Sequence, residues 1–269
     1  MTGVRFVAVG ELLVDVVAVG SGHDALIRVR PAGSAFNAAV SAAAAGADAA
    51  VIGTVGDDPT GRMILAELAA RGVGANVTVS AGSTGTFLLA NGEIRVDPGV
   101  GHAVVLPDRI EADAVLVSGY LSSETIGAAL TRAHAPWVAL DAARLPELPS
   151  GGNALVANED AARRLTGKGP EEAATELGER YRLACVTRGA LGAVAVLDGR
   201  LETAAADPVA GDQPGAGDAF AAGLLVELAR GSELARALAE GCRWGTLAAA
   251  EPAGWSMFGA PEARRKESP

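Results

Sequence analysis

Residues 211–223 read GDQPGAGDAFAAG and set three glycines and one proline directly before an acid, Asp218, and an apolar run. Glycines at 215 and 217 permit a positive φ and a close approach of the main chain to a ligand. The amides of residues 215–218 would then face outward at a helix start, where the helix dipole favours negative charge. The stretch therefore predicts an anion cradle with a carboxylate beside it. Such a carboxylate fits a base that deprotonates a hydroxyl attacking a phosphoryl group, and the alternative is an ordinary first-turn acid after a glycine turn.

Strand-like and helix-like runs alternate through the rest of the chain. Helices are predicted at 34–46, 58–72, 123–134, 159–166, 170–181, 216–230 and 232–250. Buried strands are predicted at 4–10, 49–56, 114–119, 137–141, 153–158 and 183–189, with a hairpin over 192–206 turning at Asp198-Gly199. Such alternation predicts an α/β fold with a doubly wound, mostly parallel sheet flanked by helices.

Two segments break this alternation. Residues 77–97 read as short strands joined by turns, including Asn91-Gly92, and with residues 15–31 they could form a small β lid over the edge of the sheet. No internal repeat or low-complexity linker divides the chain, so residues 1–269 are expected to form one domain with this lid. Apolar edge strands need covering, which predicts a homodimer through the lid.

Composition narrows the possible partners. The net charge is −10, which argues against a nucleic-acid partner, because phosphate contacts need a basic face. The N-terminal residues carry charges and lack a span of ~18 uncharged apolar residues, so neither a signal peptide nor a membrane segment is expected. Cys185 and Cys242 are far apart in sequence and the three histidines are isolated, a pattern typical of reduced core thiols in a cytoplasmic protein without a zinc site.

Several motifs, in order, resemble those of the ribokinase-like (PfkB) carbohydrate kinases. Residues 212–223 are similar to the family's C-terminal D-T-x-G-A-G-D signature, residues 31–73 to its first signature, and residues 10–15, GELLVD, to its first strand with a substrate-binding aspartate. The resemblance covers nearly the whole chain. It implies transfer of a phosphoryl group from ATP, with Mg²⁺, to a hydroxymethyl group of a small sugar. GELLVD and GDDPTGRM, residues 56–63, look most like fructokinases and 2-keto-3-deoxygluconate kinases.

The resemblance also implies roles for individual residues. Asp218 would be the base that deprotonates the acceptor, and the backbone of Gly215, Ala216 and Gly217 would stabilise the charge on the transferred group. The sugar hydroxyls would be bound by three residues of the N-terminal third: Asp15, Gly33 and Asn37.

The nucleotide would lie along a second group of residues. Thr187, Gly189 and Gly192 would follow the phosphates and ribose of ATP, and Asn158 would help to position magnesium-bound water.

The chain departs from the family's pattern at four places. Ala32 stands where a second glycine is usual, and Ala161 stands where the N-x-x-E motif has its glutamate, so either Glu159 or Asp160 substitutes or metal use is altered. Gln213 replaces the threonine after Asp212, which weakens the expectation of a monovalent-cation loop beside the anion cradle. An alanine, Ala142 or Ala143, replaces the asparagine that often precedes Arg144.

Three other functions remain as alternatives. A nucleoside kinase would need an aromatic platform, for which Phe36 and Phe87 are the candidates. A binding-only relative would explain the altered N-x-x-E motif, but a protein that only binds has no use for a base at position 218. A dinucleotide-dependent oxidoreductase is disfavoured because no G-x-G-x-x-G follows the first strand.

Overall fold

The computed structural model describes residues 3–20, 23, 25–90, 92–142, 144–207, 209 and 215–250. The helices are α1 Ser34–Ala44, α2 Pro59–Ala70, α3 Ser123–Arg132, α4 Glu159–Thr166, α5 Pro170–Gly178, α6 Ala216–Ala229 and α7 Leu234–Ala250. The strands are β1 Arg5–Val9, β2 Leu13–Val19, β3 Leu26–Ala32, β4 Asp48–Gly56, β5 Gly74–Ser80, β6 Gly85–Ala90, β7 Glu93–Asp97, β8 Ile110–Glu111, β9 Ala114–Val117, β10 Ala133–His134, β11 Trp137–Asp141, β12 Ala154–Asn158, β13 Leu183–Thr187, β14 Ala193–Leu197 and β15 Arg200–Ala204.

The main sheet has nine strands in the order β15-β14-β13-β12-β11-β9-β1-β4-β5. All neighbours are parallel except β13-β14 and β14-β15, which are antiparallel. The chain runs outward from β1 through β4 to β5 and then returns to build the other half from β9. In such sheets ligands bind where the strand order reverses, beyond the carboxyl ends of the strands. The loops after β1 and β9 meet at this position.

Helices cover both faces of the main sheet. Apolar residues of β1 alternate between them, with Phe6 and Ala8 in the core beneath α1, α2, α6 and α7 and Val9 in the core beneath α3, α4 and α5. This arrangement confirms the predicted doubly wound, mostly parallel α/β fold. It also explains the near-continuous apolar runs, because strands that are buried on both faces need no polar side.

Local signals set the ends of several elements as the sequence predicts. The Asp58 carboxylate accepts a hydrogen bond from the Gly61 amide at the start of α2, and Pro59 is the first helical residue. Asp198 and Gly199 have φ values of 49° and 78°, the backbone that a two-residue hairpin turn requires. These contacts confirm the predicted helix start and the hairpin.

A second, four-stranded sheet has the order β3-β2-β6-β7. The predicted lid segments supply these strands, whereas residues 77–80 belong to β5, which continues its parallel pairing with β4. Some of the predicted features lie outside the described residues: Asn91 of the predicted turn, Ala143 of one departure from the family pattern, and Asp212 with Gln213 of another. Within the described part of the chain, no helix has both the length and the apolar character needed to cross a membrane.

Candidate active site

The glycine-rich stretch ends at the start of α6. Gly215 precedes this helix with a φ of 99°, a left-handed conformation that suits glycine. A Cβ added to Gly217 would meet no atom within 4 Å, so the space beside the first turn is open. The first amides of α6 therefore face an open region and can bind an anion there.

Asp218 lies in this first turn and contacts the N-terminal part of the chain. The Ser34 hydroxyl donates to Asp218 Oδ1 at 2.8 Å, and the Asn37 amide donates to Oδ2 at 3.0 Å. Both donors belong to α1, which packs against α6 in the same core. Two donors to two oxygens fix the plane of the carboxylate and leave lone pairs for a further partner.

The surroundings of Asp218 oppose its negative charge. Burial is the main cause, followed by the carboxylate of Asp141 at the end of β11 and that of Glu11, and together they raise the pKa of Asp218 to about 8. The hydrogen bonds from Asn37 and Ser34 act in the opposite direction. The residue as a whole is half-buried. A carboxyl with a pKa near neutrality is well matched to accept a proton from an alcohol.

A cleft of about 640 Å³ opens on the other side of the α6 N-terminus. It brings together residues from the ends of β12 and β13 with the start of α6: Asn158, Thr187, Gly189, Gly192, Gly215, Ala216 and Gly217. All four residues predicted to follow the nucleotide thus line one cleft with the predicted anion cradle. Arg188 and Thr246 also line the cleft, and the sequence analysis did not identify them, although Arg188 lies between Thr187 and Gly189.

The altered N-x-x-E motif lies at the rim of this cleft. Asn158 Oδ1 accepts the Ala161 amide at 2.8 Å and caps α4, so Asn158 has a structural task as well as a place in the cleft. Ala161 is buried, Glu159 pairs with Arg163 at 2.8 Å, and the side chain of Asp160 is 85% exposed.

The carboxylates that line the cleft are candidates for binding magnesium. Asp160 and Asp207 line the cleft, and the described residues contain no group of three or more side chains able to form a metal cage. Mg²⁺ usually keeps several waters and binds one or two carboxylates together with substrate phosphates. Glu159 also lines the cleft, so its wall offers carboxylates to which a magnesium ion arriving with a nucleotide could bind through water.

The predicted sugar residues occupy the junction of the two sheets. Asp15 on β2 is buried, and its Oδ2 accepts hydrogen bonds from Arg30 Nε at 3.0 Å and Nη2 at 2.8 Å across the β2-β3 register. Burial raises the pKa of Asp15, and the Arg30 guanidinium opposes that shift. Gly33 has a φ of 105°, and a Cβ there would overlap the Glu11 carbonyl oxygen. The structure thus joins Asn37 directly to Asp218 and holds Asp15 through Arg30.

Known structures share this architecture. Ribokinase from Thermotoga maritima is 20% identical, with 96% of each chain covered and a TM-score of 0.80. Ribokinase from Arabidopsis thaliana, in a complex with ribose and ATP, is 21% identical over 93% of each chain with a TM-score of 0.74. Aminoimidazole riboside kinase from Salmonella enterica, bound to aminoimidazole riboside and an ATP analogue, is 22% identical, with 94% of this chain and 95% of that chain covered and a TM-score of 0.75. At these identities the similarity establishes the ribokinase-like fold.

The family is established by the sequence itself. The model of the pfkB family of carbohydrate kinases matches residues 5–255, which is nearly the whole chain. The match includes the N-terminal residues that bond to Asp218 as well as the glycine-rich start of α6. The chain therefore belongs to the pfkB carbohydrate kinase family, whose members are phosphotransferases.

Proposed function

We propose that the protein transfers the γ-phosphoryl group of ATP to a hydroxymethyl group of a small sugar or sugar acid, in the manner of fructokinases and 2-keto-3-deoxygluconate kinases. One observation carries the proposal. Asp218 lies in the first turn of α6, beside the cleft-lining amides, and is bound to Ser34 and Asn37 of α1. A proton acceptor thus stands next to an anion site, where a phosphoryl acceptor can meet a phosphoryl donor.

In the proposed reaction Asp218 acts as the general base. Its ionised carboxylate accepts the proton as the acceptor oxygen forms a bond to the γ-phosphorus, and the bond from that phosphorus to the β-phosphate oxygen breaks to release ADP. The amides of Gly215, Ala216 and Gly217 donate to the oxygens of the transferred group, and the α6 dipole favours their negative charge. Asp218 must lose its proton first, so the rate rises with pH through its pKa.

Residues of the N-terminal third would hold the acceptor. Asp15 accepts hydrogen bonds from sugar hydroxyls while Arg30 keeps its carboxylate in one orientation. Asn37 lies within hydrogen-bonding distance of the base and would orient the hydroxyl that reacts. Gly33 lets the start of α1 approach the sugar without a side chain between them.

Residues of the large cleft would hold the nucleotide. Thr187, Gly189 and Gly192 line the part of the cleft nearest β13, and Asn158 lines its rim at the end of β12. Asp160 and Asp207 would hold a magnesium ion through water. Such an ion would supply positive charge beside the phosphates of ATP. Arg188, a cationic residue that lines the cleft, can supply such charge only in part, because it pairs with Glu171 at 3.0 Å.

A coupled assay of ADP release tests the proposal. Wild-type protein with ATP and magnesium is given a panel of ketoses, aldoses, 2-keto-3-deoxy sugar acids and nucleosides, and Asp218→Asn is the control. We expect turnover with a sugar or sugar acid and a loss in the variant on the order of 10² or more, with nucleotide binding nearly intact. Turnover confined to nucleosides would favour a riboside kinase. Equal inactivity of both proteins on every acceptor would leave a binding-only relative.

We propose that the small sheet acts as the lid and pairs with a second copy of this chain. Its outer strands β3 and β7 expose apolar side chains: Leu26, Ile27, Val29, Ile94 and Val96. Unpaired strand edges with apolar faces favour association with a like edge. Analytical ultracentrifugation of wild type and Ile27→Glu tests this. We expect wild type to be a dimer and the variant to be a monomer, because the added charge lies on the outer strand of the small sheet.

An ATP-dependent reaction and two buried free cysteines fit a cytoplasmic location, which stays a prediction.

A further inference from the structure

A second carboxylate, Glu11, is built into the wall behind the proposed base. Glu11 follows Gly10 in the loop between β1 and β2, at the point where the strand order of the main sheet reverses. The Ser118 hydroxyl, just after β9, donates to Glu11 Oε2 at 2.8 Å, and the Ser34 amide donates to Oε1 at 3.4 Å. Both partners present donors, so these contacts favour the ionised form of Glu11.

Glycines let three chain segments meet closely around Glu11. A Cβ on Gly10 would lie 2.6 Å from the Ser118 Cβ, and a Cβ on Gly33 would overlap the Glu11 carbonyl oxygen. The β1–β2 loop, the end of β9 and the start of α1 are therefore in direct backbone contact. Ser34 and Ser118 are themselves buried, at 7% and 2% exposure, so the orientation of Glu11 is fixed by packing.

Ser34 connects Glu11 to the base. Its backbone amide donates to Glu11 Oε1 and its hydroxyl donates to Asp218 Oδ1, so one residue contacts both carboxylates. We propose, on the basis of the kinase function proposed above, that Glu11 is a positioning residue for Asp218. Through Ser34 it orients the base, and its charge sets the pH range in which Asp218 accepts a proton.

The charges around the pair determine the expected size of the effect. Burial raises the pKa of Glu11, and its hydrogen bonds with its own backbone, Ser118 and Ser34 oppose that shift. Asp218 faces Asp141 as well as Glu11, and Asp141 raises its pKa more than Glu11 does. Tyr120, after β9, also interacts with Asp218, and the Arg144 guanidinium lies over the Tyr120 ring at 5.6 Å. Of the two carboxylates that raise the pKa of Asp218, Glu11 has the smaller effect, and its removal should lower that pKa.

The pH profile of kcat/KM tests the inference with the best acceptor from the panel. In Glu11→Gln the acidic limb should move to lower pH by more than the spread among replicate profiles. The plateau value of kcat should also fall, because Ser34 is less firmly held. The matched control is Glu111→Gln, an exposed acid of β8 that pairs with Arg109, and its profile should equal that of wild type. A Glu11→Gln limb at the wild-type pH would overturn the inference, because a merely structural loss lowers the rate without moving the limb.

A second variant tests the inference if Glu11→Gln folds poorly, and a second measurement tests it if the wild type is inactive. Ser118→Ala removes a donor that keeps Glu11 ionised, so a smaller shift in the same direction is expected. The unfolding free energy of Asp218→Asn minus that of the protein with Asp218 reports the ionisation of Asp218 and needs no turnover. When both proteins also carry Glu11→Gln, this difference should change with pH over a lower pH range than it does without that substitution. An inactive wild type that shows this shift refutes only the kinase function. An active wild type without the shift in either variant refutes the role of Glu11.

Discussion

Asparagine at position 218 should remove the pH dependence that Asp218 gives to the stability of the protein, and it also removes the proposed base. Burial, Asp141 and Glu11 raise the pKa of Asp218 to about 8, against a value of 3.8 for an unperturbed aspartate. Between these two values the folded protein binds more protons than the unfolded chain. The free energy of unfolding contributed by Asp218 is therefore complete below pH 3.8 and is lost as the pH rises towards 8.

The size of this effect follows from the same shift. Each pH unit across the window is worth about 1.36 kcal/mol for one proton, so the upper limit at pH 7 is about 4 kcal/mol. A smaller difference at pH 7 would mean a correspondingly smaller pKa shift, because the two quantities are linked. Asparagine has no proton to lose, so the stability of the variant relative to wild type should rise up to about pH 8 and stay constant above it.

Urea unfolding of wild type and Asp218→Asn between about pH 4.5 and 9 measures this difference. Asp57→Asn is the control, because Asp57 is exposed and pairs at the surface with Arg62, so the difference between that variant and wild type should vary little with pH. If the advantage of Asp218→Asn were the same at every pH, the reasoning about the charged surroundings of Asp218 would be wrong.

Three further substitutions test other parts of the site. Gly192→Ala should lower the free energy of unfolding, measured with urea, by at least about 2 kcal/mol. The φ of Gly192 is 85°, and the new Cβ would overlap the Ala204 carbonyl oxygen. Gly217→Leu should leave stability equal or higher, since leucine favours helices by about 1 kcal/mol over glycine, yet raise the ATP KM at least ~10-fold by filling the cleft. Arg30→Met should cost about 3 kcal/mol in urea unfolding and raise the acceptor KM, because it leaves the buried Asp15 unpaired.

Each of these has a matched comparison. Gly189→Ala has a positive φ of 56° but open space around its Cβ, so it should cost less than Gly192→Ala. Gly127→Leu, in α3 with open space around it, should leave the ATP KM unchanged. Arg95→Met removes an exposed pair with Glu93 and should cost less than about 0.5 kcal/mol. Equal effects within any of these pairs would contradict the local explanation offered for it.

Much of the fold follows from local patterns in the sequence. Asp58 with Pro59 marks a helix start, and Asp198 with Gly199 marks a hairpin, because these residues act on the backbone within a few positions of themselves. The boundary of the small sheet was less predictable. Residues 77–80 read as lid strand but pair with β4, and nothing in their own sequence encodes which sheet an edge strand joins.

The site shows the same division. Asp218 and its glycines form a motif that is contiguous in sequence, whereas Ser34 and Ser118 bond to acids 184 and 107 residues away. A serine at a helix start or a strand end is common, so neither residue carries a signal until the fold brings the segments together. Arg30 is similar, since its pairing with Asp15 depends on the β2-β3 register and not on a motif.

The most direct test is a crystal structure of the protein with a non-hydrolysable ATP analogue and the preferred acceptor. The terminal phosphate should lie against the amides of Gly215, Ala216 and Gly217. The acceptor's hydroxymethyl oxygen should lie about 3 Å from the Asp218 carboxylate and in line with that phosphate. A terminal phosphate bound away from the start of α6, or an acceptor whose hydroxymethyl group points away from Asp218, would contradict the central claim.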